Sequence, residues 1–235
     1  MAGARVVPGG WGSSMRWSHP ALLIATVWVL VGCGVVTDPT EVTPDVYVET
    51  PSPNPRAAAV FGQDNVDDAV EQLTGFALSE AYPPELLDPQ REDYSVADLA
   101  GDDVVEHLTP DAAEGWTELV EAALAGDAEA RSIVHVMRFY DVERRWTLPE
   151  DDPVVASQQI TDIVLEVDSS GGAGQERLVV SFHHDVSLEY REDGRPVGMD
   201  IAKEITYQLA PVSDPDGPGW LIAGFDGEFE VVDWS

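Results

Sequence analysis

The chain has little of several things, and each shortage narrows what it does. Its 235 residues contain one cysteine, Cys33. An intrachain disulfide is therefore impossible, and a packed core must hold the fold. Basic residues number 12 against 44 acidic ones, a net charge of −32, and the only lysine is Lys203. So acidic a chain repels nucleic acid and anionic lipid head groups, and neither is expected as a partner. No apolar run reaches the roughly 20 residues that a spanning helix needs. Also absent are a Gly-x-Ser-x-Gly elbow, a phosphate loop, a His-Glu-x-x-His pair and a dinucleotide fingerprint. The usual grounds for naming an enzyme are missing, and no cofactor or metal is expected.

The start of the chain is informative. Residues 1–20 carry Arg5 and Arg16 and no acid, and residues 21–32 form a short apolar run. That order is the pattern of a secretory signal peptide. The run ends in Leu30-Val31-Gly32-Cys33, which resembles the bacterial lipobox. The resemblance implies that Leu30, Val31 and Gly32 are recognition residues, that the chain is cut before Cys33, and that the Cys33 sulfur receives a diacylglyceryl group. Two acyl chains anchor stably where one binds marginally. The implied location is the extracytoplasmic face of the cell membrane. Loss of Arg5 and Arg16 leaves ten basic residues against 44 acidic ones, a net of −34. One lysine against eleven arginines, with abundant Ala, Gly and Asp, is similar to the composition of actinobacterial proteins.

Residues 33–62 read as a linker, because Pro39, Pro44, Pro51, Pro53 and Pro55 punctuate it. Extended at about 3.1 Å per residue, such a stretch reaches on the order of 90 Å. The remaining residues, 63–235, suffice for one domain.

Within that domain two textures follow one another. Val66, Ala69, Val70, Leu73, Phe76 and Ala77 recur at helical spacing, with Asp64 as an expected N-cap and Pro83-Pro84 as a stop. A short helix broken near Gly101 is expected between Val96 and His107. Thr109-Pro110 announces another, which Gly126 ends. From Arg131 the residues become β-branched and aromatic. Strands are expected at about 132–146, 154–168, 176–191, 197–211 and 220–232, joined by short turns such as Asp193-Gly194. The expected fold class is α+β, with N-terminal helices packed on a curved antiparallel meander of about five strands.

Alternation assigns the faces. Val180, Phe182, His184, Val186, Leu188 and Tyr190 share one side of the third strand. Ile201, Lys203, Ile205, Tyr207 and Leu209 share one side of the fourth. On the last strand, Leu221, Ala223, Phe225, Phe229 and Val231 are expected to face the helices. Helices leading into such a meander, closed by Trp220-Leu221-Ile222-Ala223-Gly224-Phe225, resemble the nuclear transport factor 2-like superfamily of cystatin-like cones. The resemblance implies a pocket between the concave sheet and the helices. Exported, lipid-anchored domains of this kind serve envelope complexes, and related isomerases and dehydratases use the pocket for proton transfer.

Two polar residues, His184 and Lys203, lie on otherwise apolar rows, and His135 lies on a row with Ile133, Met137 and Phe139. With Tyr207 they form the candidate ligand-binding set, suited to an anionic ligand. His184 and Lys203 are also the candidate catalytic pair, since burial lowers a lysine pKa toward a useful range. The plainer reading is a hydrogen-bonded core histidine and a lysine whose ammonium snorkels to the rim. His183-His184-Asp185 is not a metal cluster, because neighbours on a strand point to opposite faces. Asp214-x-Asp216-Gly217 lacks the later ligands of a calcium loop and reads as a hairpin turn. Three functions follow as expectations: first a non-catalytic accessory domain binding an envelope protein or small ligand, then a small pocket enzyme, and last a calcium-tuned surface module.

Overall fold

The computed structural model describes residues 44–150, 153–172, 174–212 and 219–234. The lipobox, Cys33 and the Asp214–Gly217 turn lie outside them. The described chain is α+β. Strand β1 (Asp45–Val48) is followed by helices α1 (Pro55–Phe61), α2 (Gln63–Ser79), α3 (Val96–Leu99), α4 (Asp102–Val105), α5 (Pro110–Leu124) and α6 (Ala128–Met137). Four long strands complete it: β2 (Val155–Asp168), β3 (Arg177–Glu192), β4 (Arg195–Pro211) and β5 (Trp220–Trp234). The sheet order is β1-β2-β3-β4-β5; β1 lies parallel to β2 and every other pair is antiparallel.

The helices form where the apolar spacing places them. Thr109 caps α5 by accepting the Ala112 N–H, and Pro110 stands in its first turn. Trp116 then buries its ring and donates from Nε1 to the Leu99 carbonyl at 3.1 Å, tying α5 to α3. Helix α2 starts at Gln63, so Asp64 belongs to its first turn and Gly62 is the cap. Gly62 has φ 88, a left-handed value that lets α1 turn directly into α2.

Three expectations are corrected. The segment expected as a strand at 132–146 is helix α6 followed by an irregular run. Asp127 caps α6 by accepting the Glu129 and Ala130 N–H groups, and Ala130, Ile133, Val134 and Met137 bury a helical stripe. The cap and the stripe outweigh the β preference of Ile133, Val134 and Val136. The proline-rich linker does not extend to residue 62. Val46, Tyr47 and Val48 sit in β1, and Asn54-Pro55 is a helix start, with the Asn54 side chain accepting from the Arg56 and Ala57 N–H groups. The fifth strand is therefore β1, not 132–146.

The third correction concerns β5. Trp220 and Ile222 are buried, while Leu221 and Ala223 are only half-buried and Val231 is exposed. A β-bulge explains the change. Ile222 pairs with Leu209 and Gly224 with Gln208, so Ala223 is an extra residue. Parity flips there, and Phe225 and Phe229 then pack against the core as expected. Rows on β3 and β4 follow the expected alternation throughout.

Candidate functional site

His184 and Lys203 are cross-strand partners on the inner faces of β3 and β4. They are 0% and 1% exposed. Lys203 does not snorkel. Its ammonium lies 4.3 Å from the ring centroid of Tyr82, and the same ring meets His184 edge-on at 5.6 Å. Tyr82 is held over the pair by the turn after α2, where the Phe139 N–H donates to the Ala81 carbonyl at 2.9 Å.

The histidine tautomer follows from its neighbours. Gln158 donates from Nε2 to the Leu78 carbonyl at 3.1 Å. Its Oε1 then faces His184 Nε2 at 3.1 Å, so Nε2 must carry the proton and donate. That leaves His184 Nδ1 as a bare acceptor, and it has no partner among the described residues. Lys203 Nζ and the Tyr82 hydroxyl likewise lack hydrogen-bond partners there. Burial pushes the Lys203 amine down to about 7, since no solvent shell stabilises its charge. Burial, and then the nearby Lys203 charge, push His184 down to about 3. The Tyr82 hydroxyl is driven up by burial, with lesser contributions from Tyr207 and Asp185.

His135 joins this neighbourhood from a different direction. It lies on α6, not on a strand, with its ring 5.6 Å from Phe229, the residue opposite Lys203 on β5. Its pKa falls to about 3, first through burial and then through Lys203 and Arg131. Tyr207 is four residues from Lys203 on β4, about 13 Å along the strand, and stacks on Phe182 at 5.8 Å. Of the expected four, His184 and Lys203 are direct partners, while His135 and Tyr207 reach the site electrostatically, through Lys203 and Tyr82 respectively.

Two members of the cluster, Tyr82 and Gln158, escape the sequence reading. Gln158 shares the parity of Ile160 on β2, which is the available signal for its inward position. Tyr82 sits in an irregular turn, where no periodicity marks it. His183 faces solvent opposite Glu204 on the other side of the sheet, so the two adjacent histidines are separated. Among the described residues no three histidine, cysteine or carboxylate side chains gather as metal ligands.

Hollows are present among the described residues. A void of about 10 Å³ lies between α2 and the β4–β5 end, lined by Leu73, Phe76, His107 and Trp220 among others. An open depression of about 460 Å³ lies over Asp141, Glu143, Arg144, Arg145, Met199 and Asp233. Neither is lined by His184 or Lys203. A separate buried cation, Arg138, donates from Nη2 to Asp103 at 2.6 Å. Among the described residues no helix is long and apolar enough to cross a membrane. No family model, curated protein or solved structure matches this chain.

Proposed function

We propose that the chain is a lipid-anchored, extracytoplasmic accessory domain that binds a partner through its surface and performs no catalysis. The Leu30-Val31-Gly32-Cys33 resemblance supports the anchor. The observation that carries the binding reading is the sealing of the inner polar pair. His184 and Lys203 are buried beneath Tyr82, and no carboxylate is hydrogen-bonded to either among the described residues. Proton-transfer chemistry needs such groups within reach of a ligand. Charged residues that meet solvent lie on the helices, among them Asp67, Asp68, Glu71, Glu118 and Glu121, as well as on the outer face of the sheet.

A second reading, a small pocket enzyme of the isomerase or dehydratase kind, is favoured by one fact. An amine lowered to about 7 and an imidazole acceptor lie side by side, with Lys203 Nζ and His184 Nδ1 unpartnered among the described residues. It requires Tyr82 to swing aside for an anionic ligand.

The uniqueness of Lys203 separates the two readings. Amine acylation of the folded full-length protein, followed by mass spectrometry, reports on this side chain alone among lysines. Protection until the fold is melted is the expected result. Labelling at the rate of an exposed lysine shows an open pocket and favours the enzyme. For the anchor, Cys33→Ala is expected to move the protein from the membrane fraction to the soluble one or to block its processing. Unchanged retention contradicts lipidation.

A further inference from the structure

Strand β1 is an edge, and its central residues are apolar and exposed. All four residues are exposed, with Val46, Tyr47 and Val48 at 47%, 54% and 38%. The Glu49 N–H donates to the Ile160 carbonyl at 2.8 Å. Successive residues of a strand turn their backbone groups to opposite sides, so Asp45 and Tyr47 face β2 with Glu49. The N–H and C=O groups of Val46 and Val48 therefore face the open edge, where the sheet order places no further strand among the described residues. At four residues the edge is short and Asp45 is charged, but from Val46 to Val48 it carries no lysine, proline or bulge.

We infer that β1 is a docking edge for an extended, basic segment of a partner protein, which adds a strand outside Val46 and Val48. This rests on the binding reading above and names the partner's chemistry. Backbone bonds supply the affinity in such strand addition, and alternate side chains supply the choice. The charges select the occupant. Asp45 and Glu49 bracket the apolar stretch, the Glu49 carboxylate accepting the Asp162 N–H at 2.7 Å, and the whole chain has a net charge of −32. Lysine or arginine flanking alternate apolar residues complements both. A second copy of this chain does not fit. Antiparallel pairing of Val46 with Val48 of another copy sets Asp45 against that copy's Glu49, acid on acid, between two strongly negative molecules. If Cys33 is the anchor, the twelve residues from it to Asp45 reach at most about 40 Å. The edge then stays close to the membrane, within reach of the extended juxtamembrane segments of other anchored proteins.

The test uses the full-length protein in detergent and a labelled peptide, Lys-Lys-Thr-Val-Thr-Val-Thr-Lys-Lys. Binding by fluorescence anisotropy is expected, weakening with salt. It is expected to weaken about tenfold or more when glutamates replace the peptide's lysines, or when Val48→Pro removes one of the two outward donors. Proline there spares the inward bonds of Tyr47 and Glu49, and a melting curve confirms the fold. Equal binding of the acidic peptide overturns the inference, as does undiminished binding by Val48→Pro, no binding at all, or concentration-dependent dimers lost in that variant. Cross-linking at the membrane of the native host keeps the two readings apart. A partner captured on another surface ends the docking edge and retains the binding domain, whereas a functional pocket with no surface partner ends both.

Discussion

The two faces of β3 and β4 are built from alternate residues of the same strands, yet they handle charge in opposite ways. On the outer face, carboxylates and hydroxyls meet water and each other. Ser187 donates to Asp200 at 2.7 Å, the Ser181 and Thr206 hydroxyls pair at 2.7 Å, and His183 stands opposite Glu204. On the inner face, one ammonium and one imidazole sit among Phe182, Val186, Ile201 and Ile205 with no acid bonded to either. Charge placed in water stabilises little. Charge placed in the core is expensive unless it is neutralised. The inner face goes part of the way along the second course, lowering the Lys203 amine to about 7 and keeping His184 uncharged at neutral pH.

The contrast breaks first at its apolar neighbours. Phe182→Ala is expected to destabilise by about 3–5 kcal/mol in chemical denaturation. Comparable losses from truncations on the outer face would erase the distinction. Lys203→Met comes next and has the opposite sign, a gain of about 1–4 kcal/mol at neutral pH, because a buried unpaired cation is replaced by an apolar chain of similar length. The folded amine titrates near 7 and the unfolded one near 10.5. Between those values the unfolded chain holds a proton that the folded chain lacks, so wild-type stability rises with pH across that window. The gain from Lys203→Met is therefore largest below pH 7 and shrinks toward 10.5, and denaturation at pH 6, 8 and 10 reads it. A gain constant with pH would mean the amine is not perturbed.

His184→Leu is expected to lose about 1–3 kcal/mol at neutral pH, leaving the Gln158 oxygen without its donor. It also flattens the acid limb. The unfolded imidazole holds a proton between about 3 and 6.5 that the folded one lacks, so wild-type stability falls as pH drops through that range. Thermal melts between pH 4 and 7 test this. Smallest is Ser187→Ala on the outer face, under about 1 kcal/mol. A larger loss there would show that the exposed hydroxyl–carboxylate rows also hold the sheet together.

The strands of the meander were readable because alternation persists through the 16 residues of β3 and the 17 of β4, and each turn is marked by glycine, proline or aspartate. Helix α5 was readable from Thr109-Pro110. What escaped were elements whose local texture contradicts their context. Residues Ile133 to Val136 carry β-formers on a helix fixed by Asp127 and by packing on α5. Strand β1 has only four residues and gains its identity from β2, a partner more than a hundred positions away. The inward positions of His184 and Lys203 followed from parity alone. Their lid did not, because Tyr82 reaches them from an irregular turn whose path is set by tertiary contacts.

The bulge at Ala223 makes β5 a strand with two insides. Before it, even-numbered Trp220 and Ile222 close the end of the core beneath α2. Beyond it, odd-numbered Phe225 and Phe229 line the helical layer. The extra residue works as a phase shifter in the inside-outside code. Deleting it would leave every residue chemically unchanged and turn one half of the strand inside out. For this chain the count of residues along β5 is as strict a constraint on the fold as their kind.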